Sequence, residues 1–252
     1  MKPRVTKVFL FSLVIALLGF LVWFIPPVYL LKRGTVTYER FERDKGKVSV
    51  TVGPKEKGWT PLRRVSRFAL AAIMVSEDAR FYTHWGIDLL AIKNSVKVNW
   101  ARGRYARGAS TITQQLVRLV FLDPEKTLLR KTREVMGALL LECLLSKQEI
   151  MEWYVNLIPL GKGVYGIRDA SRIYFASEPD ILTVSQGILL ALVLPSPNKR
   201  SRNLDRKQLT AWGQKRFAEL ANELQEAALI SKKQWEEAMG TGNFGAPIQA
   251  QE

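Results

Sequence analysis

Residues 8–31 read VFLFSLVIALLGFLVWFIPPVYLL, an apolar run without a single charge. About 20 apolar residues in a helix span the hydrocarbon of a bilayer, so the pattern predicts a transmembrane helix within 1–33. A cleaved signal peptide has an apolar region of only about 7–15 residues and a small-residue exit. Trp23, Pro26 and Pro27 stand where that exit would be, so the segment reads as an uncleaved anchor. Residues 34–58 are rich in charge and glycine, with one period-two alternation at 47–52 that suits an edge strand. They read as a juxtamembrane linker. From Pro61 onward the pattern changes to long apolar stretches with few interior prolines, which predicts helices near 62–79, 87–101, 109–121, 126–145, 147–156, 165–176, 183–194 and 205–228. A last helix is expected from Ser231, where Ser231 and Gln234 have capping-box spacing. The chain thus divides into a stub and anchor (1–33), a linker (34–58), a mainly α domain (59–239) and a disordered tail (240–252).

Composition narrows the partners. At 252 residues, 47% hydrophobic and 24% charged, the chain can bury one full-sized core, which excludes an intrinsically disordered protein. One Cys and one His exclude a disulfide framework within the chain and a Cys/His zinc site. Cys143 is expected to be a buried thiol. Thirty-eight Lys and Arg against 23 Asp and Glu leave a net charge of +15, which favours an anionic partner: nucleic acid, anionic lipid or a phosphorylated substrate. Lys2, Arg4 and Lys7 flank one end of the apolar run and Lys32, Arg33, Arg40 and Arg43 the other, so positive charge does not fix its orientation.

Several motif matches fail in context. The segment 161–166 fits G-x-G-x-x-G but lacks the strand before it and the alternating β/α run around it that a dinucleotide site needs. Ser196 and Lys199 have S-x-x-K spacing, yet no S-D-N or K-T-G follows and Pro197 interrupts the tetrad. No G-x-S-x-G occurs, which argues against a Ser-His-Asp hydrolase.

Three segments carry chemistry. An almost wholly apolar stretch from Ala69 ends in two adjacent acids, Glu77 and Asp78, followed by Arg80, Phe81, His84 and Trp85; this is how a carboxylate of raised pKa is built. Gly108 then opens a segment in which Ser110, Gln114 and Arg118 recur at helical spacing beside Thr111 and Gln115, with free N–H groups suited to phosphate oxygens. Arg130 and Lys131 lie within a turn of Glu134. An acid in an apolar setting, a second acid among cations and several phosphate-facing donors suit attack by a sugar hydroxyl on an anomeric carbon that bears a diphosphate. Such a reaction needs a base for the hydroxyl and positive charge for the leaving group, and no enzyme nucleophile if it inverts in one step. Glu77 fits the base. Arg118, Arg130 and Lys131 fit the leaving-group side, together with a divalent cation (magnesium or manganese) held partly by Glu134; no organic cofactor is expected.

At these residues the chain resembles the peptidoglycan glycosyltransferases, the lysozyme-like transglycosylase module that polymerises lipid II, and especially their monofunctional members. The stretches 76–81 with 84–88, 108–115, 130–134, 154–156 through 174–175, and 190–197 match in order and roughly in spacing. The resemblance implies a lysozyme-like helical fold, Glu77 as catalytic base and Glu134 as second acid, with Ser110, Thr111, Gln114, Gln115, Arg130 and Lys131 on diphosphate and sugar. The matched stretches add Asp78, Phe81, His84, Gly108 and Asn156 to the substrate-binding set. It also implies an N-terminus in the cytoplasm, a catalytic domain outside the inner membrane, and as partners lipid II, the growing glycan, membrane lipids and other cell-wall synthesis or division proteins, with no nucleic acid. The chain departs from the family pattern at Arg118-Leu119, Ala176, Arg200 and Arg202. Nothing resembling a transpeptidase follows. A glycan-cleaving lysozyme-like enzyme and a non-catalytic anchored scaffold are the competing readings.

Overall fold

The computed structural model describes residues 3–42, 46–103, 108–123, 125 and 127–241. Helix α1 (Pro3–Phe24) is followed by the short α2 (Tyr29–Lys32) and a two-stranded antiparallel hairpin, β1 (Val36–Glu42) and β2 (Gly46–Val52), in register from Val36 against Val52 to Glu42 against Gly46. The body is helical: α3 (Arg67–Asp78), α4 (Leu89–Ala101), α5 (Ile112–Phe121), α6 (Leu128–Leu144) and α7 (Lys147–Leu157). A small hairpin, β3 (Pro159–Gly161) with β4 (Val164–Tyr165), leads into α8 (Ile167–Phe175), α9 (Val184–Val193), α10 (Pro197–Asp205), α11 (Ala211–Glu226) and α12 (Lys232–Thr241).

The core is organised around α9. Its sequence is apolar on every side and nearly all of it is buried, the pattern of a helix wrapped by others. Helix α3 lies against it so closely that a Cβ on Gly187 would stand 2.8 Å from the Cα of Ala69, and α10, α11 and α12 complete the surround. A second layer joins α5 to α6 and α7. Helix ends follow the sequence. Thr111 with Gln114 and Ser146 with Glu149 form full capping boxes, and Ser231 with Gln234 makes both bonds that its spacing predicts, at 2.9 and 3.2 Å.

Four expectations change. The linker at 34–58 contains the β1–β2 hairpin rather than one edge strand, and Val36 and Tyr38 are buried in the core, because alternate residues of β1 face the helices. The end of the apolar run also belongs to the core: Phe24, Val28 and Leu31 are buried, and Arg133 Nε donates to the Phe24 carbonyl at 2.8 Å. The stretch after Pro197 forms α10, with proline at the first helical position, where it lacks no needed N–H. Cys143 is exposed rather than buried, since α6 turns that face outward. Among the described residues no helix is long and apolar enough to cross a membrane. The expected disordered tail lies outside the described residues beyond Thr241.

Candidate active site

Helix α3 begins at Ser66, whose hydroxyl accepts from Phe68 N and donates to the Leu182 carbonyl, and runs as a buried apolar stave to Glu77 and Asp78. Neighbouring residues on a helix point about 100° apart, so the two acids meet different surroundings. Asp78 is buried. It accepts from His84 Nε2 at 2.9 and 3.0 Å and from the backbone N–H of Ile112 at 3.0 Å, so it ties the loop after α3 to the start of α5.

Glu77 instead stays partly exposed and meets a side-chain amide. Its Oε2 accepts from Gln115 Nε2 at 2.9 Å, and the Oε1 of the same amide accepts from the Tyr154 hydroxyl at 2.9 Å. Burial pushes the Glu77 carboxyl above the usual range; the Gln115 bond and the positive charges of Arg118, Arg200 and Arg216 oppose that push without cancelling it. Arg200 is held in place by stacking over the Trp212 ring, 3.8 Å from its centroid, and by donating to the Leu192 carbonyl at 3.3 Å. Arg216 is anchored to Glu223 at 2.7 Å and Glu219 at 3.2 Å.

The start of α5 is held by bonds within the protein. Thr111 accepts from Gln114 N, the Gln114 side chain accepts from Thr111 N, Asp78 takes Ile112 N, and the Thr111 hydroxyl donates to the Gly86 carbonyl at 2.7 Å. Thr111 and Gln114 are therefore consumed in capping. The N–H groups of Thr111, Ile112 and Gln114 are satisfied within the protein.

A second cluster sits on α6. Glu134 is wholly buried, and its two oxygens meet Arg130 Nη1 at 2.7 Å and Lys131 Nζ; Lys131 also donates to Ser110 Oγ at 2.9 Å. Each carboxylate oxygen of Glu134 is occupied by a cation, so this donor set does not fit a divalent ion. The arrangement fixes two positive side chains next to Ser110, a surface for phosphate oxygens.

The chain that carries these two acids and their cations has relatives. Residues 45–224 match the family model described as Transglycosylase. The chain belongs to the transglycosylase family. It is 40% identical over 171 residues to the biosynthetic peptidoglycan transglycosylase of Burkholderia multivorans, covering 68% of each chain. It is 35% identical over 203 residues to that of Nitrosomonas europaea, covering 78% of this chain and 83% of the relative. Against penicillin-binding protein 1A of Aquifex aeolicus it is 33% identical over 242 residues, covering 90% of this chain but only 32% of that longer protein.

Within this transglycosylase domain, the structure brings Glu77, Gln115 and Arg118 together, and separately Ser110, Arg130, Lys131 and Glu134. Other residues expected on substrate have structural work. Phe81 is fully buried, with Lys147 Nζ 4.4 Å above its ring. Asp78 and His84 bind each other. The Asn156 side chain accepts from Thr60 N and donates to the carbonyls of Thr60 and Glu152, all at 2.8 Å, so it clamps the strap before α3. Gly108 is exposed at the approach to α5. The sequence reading missed Tyr154, Arg200 and Arg216 as neighbours of Glu77. Tyr154 falls in the matched stretch 154–156, and Arg200 stands in the sequence only as a departure from the family pattern.

Proposed function

We propose that this transglycosylase polymerises lipid II into β-1,4 glycan in one inverting displacement with Glu77 as general base. Glu77 takes the proton of the acceptor's 4-hydroxyl as that oxygen bonds to the anomeric carbon of the donor. The carbon–oxygen bond to the polyprenyl diphosphate breaks in the same step, and its electron pair leaves with the diphosphate. Arg130 and Lys131, held by Glu134 and Ser110, and Arg118 receive that charge. The reading rests on one observation: the largely buried Glu77 carboxylate accepts a hydrogen bond from Gln115 at 2.9 Å, while Arg118, Arg200 and Arg216 act on it only as nearby charges. A base raised toward the working pH accepts a proton more readily than an ordinary carboxylate.

The anchor belongs to this proposal. The apolar run of α1 carries exposed Val8, Phe9, Leu10, Phe11, Leu13, Val14 and Ile15. On α4, Leu89, Ile92, Val96 and Trp100 form an exposed apolar stripe at helical spacing, and Leu128 is exposed at the start of α6. Such surface suits lipid, and a polyprenyl substrate resides there. In this proposal the N-terminus faces the cytoplasm and the catalytic domain the outside.

Lipid II polymerisation by the full-length protein in detergent tests the reading. Glu77→Gln, still folded, should lose glycan synthesis by more than about 100-fold, the scale of a lost general base; near wild-type synthesis would refute it. A carboxyl raised by burial also suits a general acid that cleaves glycan. Release of soluble muropeptides from purified sacculi, without polymerisation, would favour that alternative.

A further inference from the structure

The Glu77 carboxylate is contacted through an amide whose orientation is not symmetric. A glutamine amide has an acceptor end and a donor end. With the donor end toward Glu77 it supports the ionised base. Turned over, it would present a carbonyl oxygen to the carboxylate, which is favourable only when Glu77 carries a proton. What selects between these orientations is the group on the far side of the amide, and here that group is the Tyr154 hydroxyl, 2.9 Å from Gln115 Oε1. Tyr154 is 1% exposed, so water cannot replace its donor.

We propose that Tyr154 is a positioning residue of the transglycosylase: by donating to Gln115 Oε1 it locks the amide with its N–H toward Glu77 and holds the base ready to accept a proton. This rests on the reading of Glu77 as the base. The surroundings of Glu77 leave this role to Tyr154. On α3 itself the adjacent Asp78 is tied to His84 and Ile112 N. Helix α9 carries no ionisable side chain along the face that packs on α3. Helices α5, α10 and α11 contribute Arg118, Arg200 and Arg216, which act on Glu77 as charges, not as partners in a direct bond. The phenol keeps its proton, because burial and the nearby Glu77 charge both hold its pKa well above the ordinary tyrosine value, with Arg118 opposing and Asp78 adding to the rise.

The test is the pH dependence of kcat and kcat/KM for lipid II polymerisation by the full-length protein, comparing wild type, Tyr154→Phe and protein with 3-fluorotyrosine at position 154. The acid limb of kcat/KM reports the free base. Tyr154→Phe should lower kcat about tenfold, the scale of one lost hydrogen bond to a reacting system, with KM little changed and the acid limb moved to higher pH. The fluorinated phenol, a stronger donor of unchanged shape, should move the limb to lower pH, and it carries the test if the phenylalanine variant does not fold. Tyr174→Phe, which removes the hydroxyl that donates to the Leu160 carbonyl, should leave the limb in place. An unmoved limb in both Tyr154 proteins, or movement in the opposite sense, overturns the proposal while leaving Glu77 as base. Polymerisation by Glu77→Gln at the wild-type rate would instead remove the reading on which it rests.

Discussion

Glu77 and Asp78 are chemically near-identical neighbours with opposite fates, and the difference is made by what the helix turns each toward. Asp78 finds a histidine and a helix-terminal N–H, and its cost of burial is met by bonds. Glu77 finds one amide donor and charges at a distance, and burial dominates. Its folded-state pKa therefore lies above the unfolded value. Below the unfolded pKa the carboxyl is protonated in both states and nothing is lost; as pH rises through the folded pKa, ionisation favours unfolding. Glu77→Gln should accordingly melt at a higher temperature than wild type at neutral pH, with the gap closing as pH falls below the ordinary carboxylate range. Thermal melts across pH check this, and a lower melting temperature at neutral pH would contradict the strained-base picture. Both acids could be marked from sequence because they end an apolar run. Their division of labour could not, because it depends on His84 and Ile112 meeting one of them and Gln115 the other.

Elements show how the site is braced. Glu77 rides on α3, and α3 is set by its contact with α9 at Gly187, where an added Cβ would also lie 3.0 Å from Ala69 N and from the Phe68 carbonyl oxygen. Those atoms are backbone and cannot swing away. Gly187→Ala should destabilise the fold by about 1–3 kcal/mol and, because α3 must shift, should also reduce polymerisation in whatever protein remains folded. A surviving kcat at the wild-type level would separate Gly187 from the site. At the start of α5, Thr111→Ala removes the cap and the donor to the Gly86 carbonyl; a loss of about 1–2 kcal/mol is expected by denaturant titration. The cap of α12 is read from its Ser-x-x-Gln spacing; the caps of α5 and α7, which have the same kind of spacing, emerge only in the structure. At Thr111 the same pattern was read as a phosphate cradle, because side chains that cap a helix and side chains that bind an anion are the same residue types. Helix α10 escaped notice, since a short polar helix opened by proline has no apolar period to announce it.

At the scale of the whole molecule, the apolar N-terminal run serves two purposes. Its start offers exposed apolar side chains on α1, and its end, from Phe24 through Leu31, is built into the domain. Removal of residues 1–22 should therefore leave a folded domain that binds lipid vesicles weakly, whereas removal of residues 1–34 should also lower the melting temperature. Vesicle flotation and thermal melts together distinguish the two; equal stability of both truncations would show that the 24–31 segment adds nothing to the core.

Local period and motif order in the sequence were enough for the helical class, the order of most helices, the position of Glu77 and Asp78 at the end of an apolar run, and the family. Tertiary structure decided which polar side chains are consumed in holding the fold and which are left to face a substrate. That choice depends on donors and acceptors distant in sequence, such as Tyr154 behind Gln115 and Thr60 on Asn156. Hydrogen-bonding capacity is finite, so a group satisfied by the fold is withdrawn from chemistry, and only the folded arrangement shows where each bond is made.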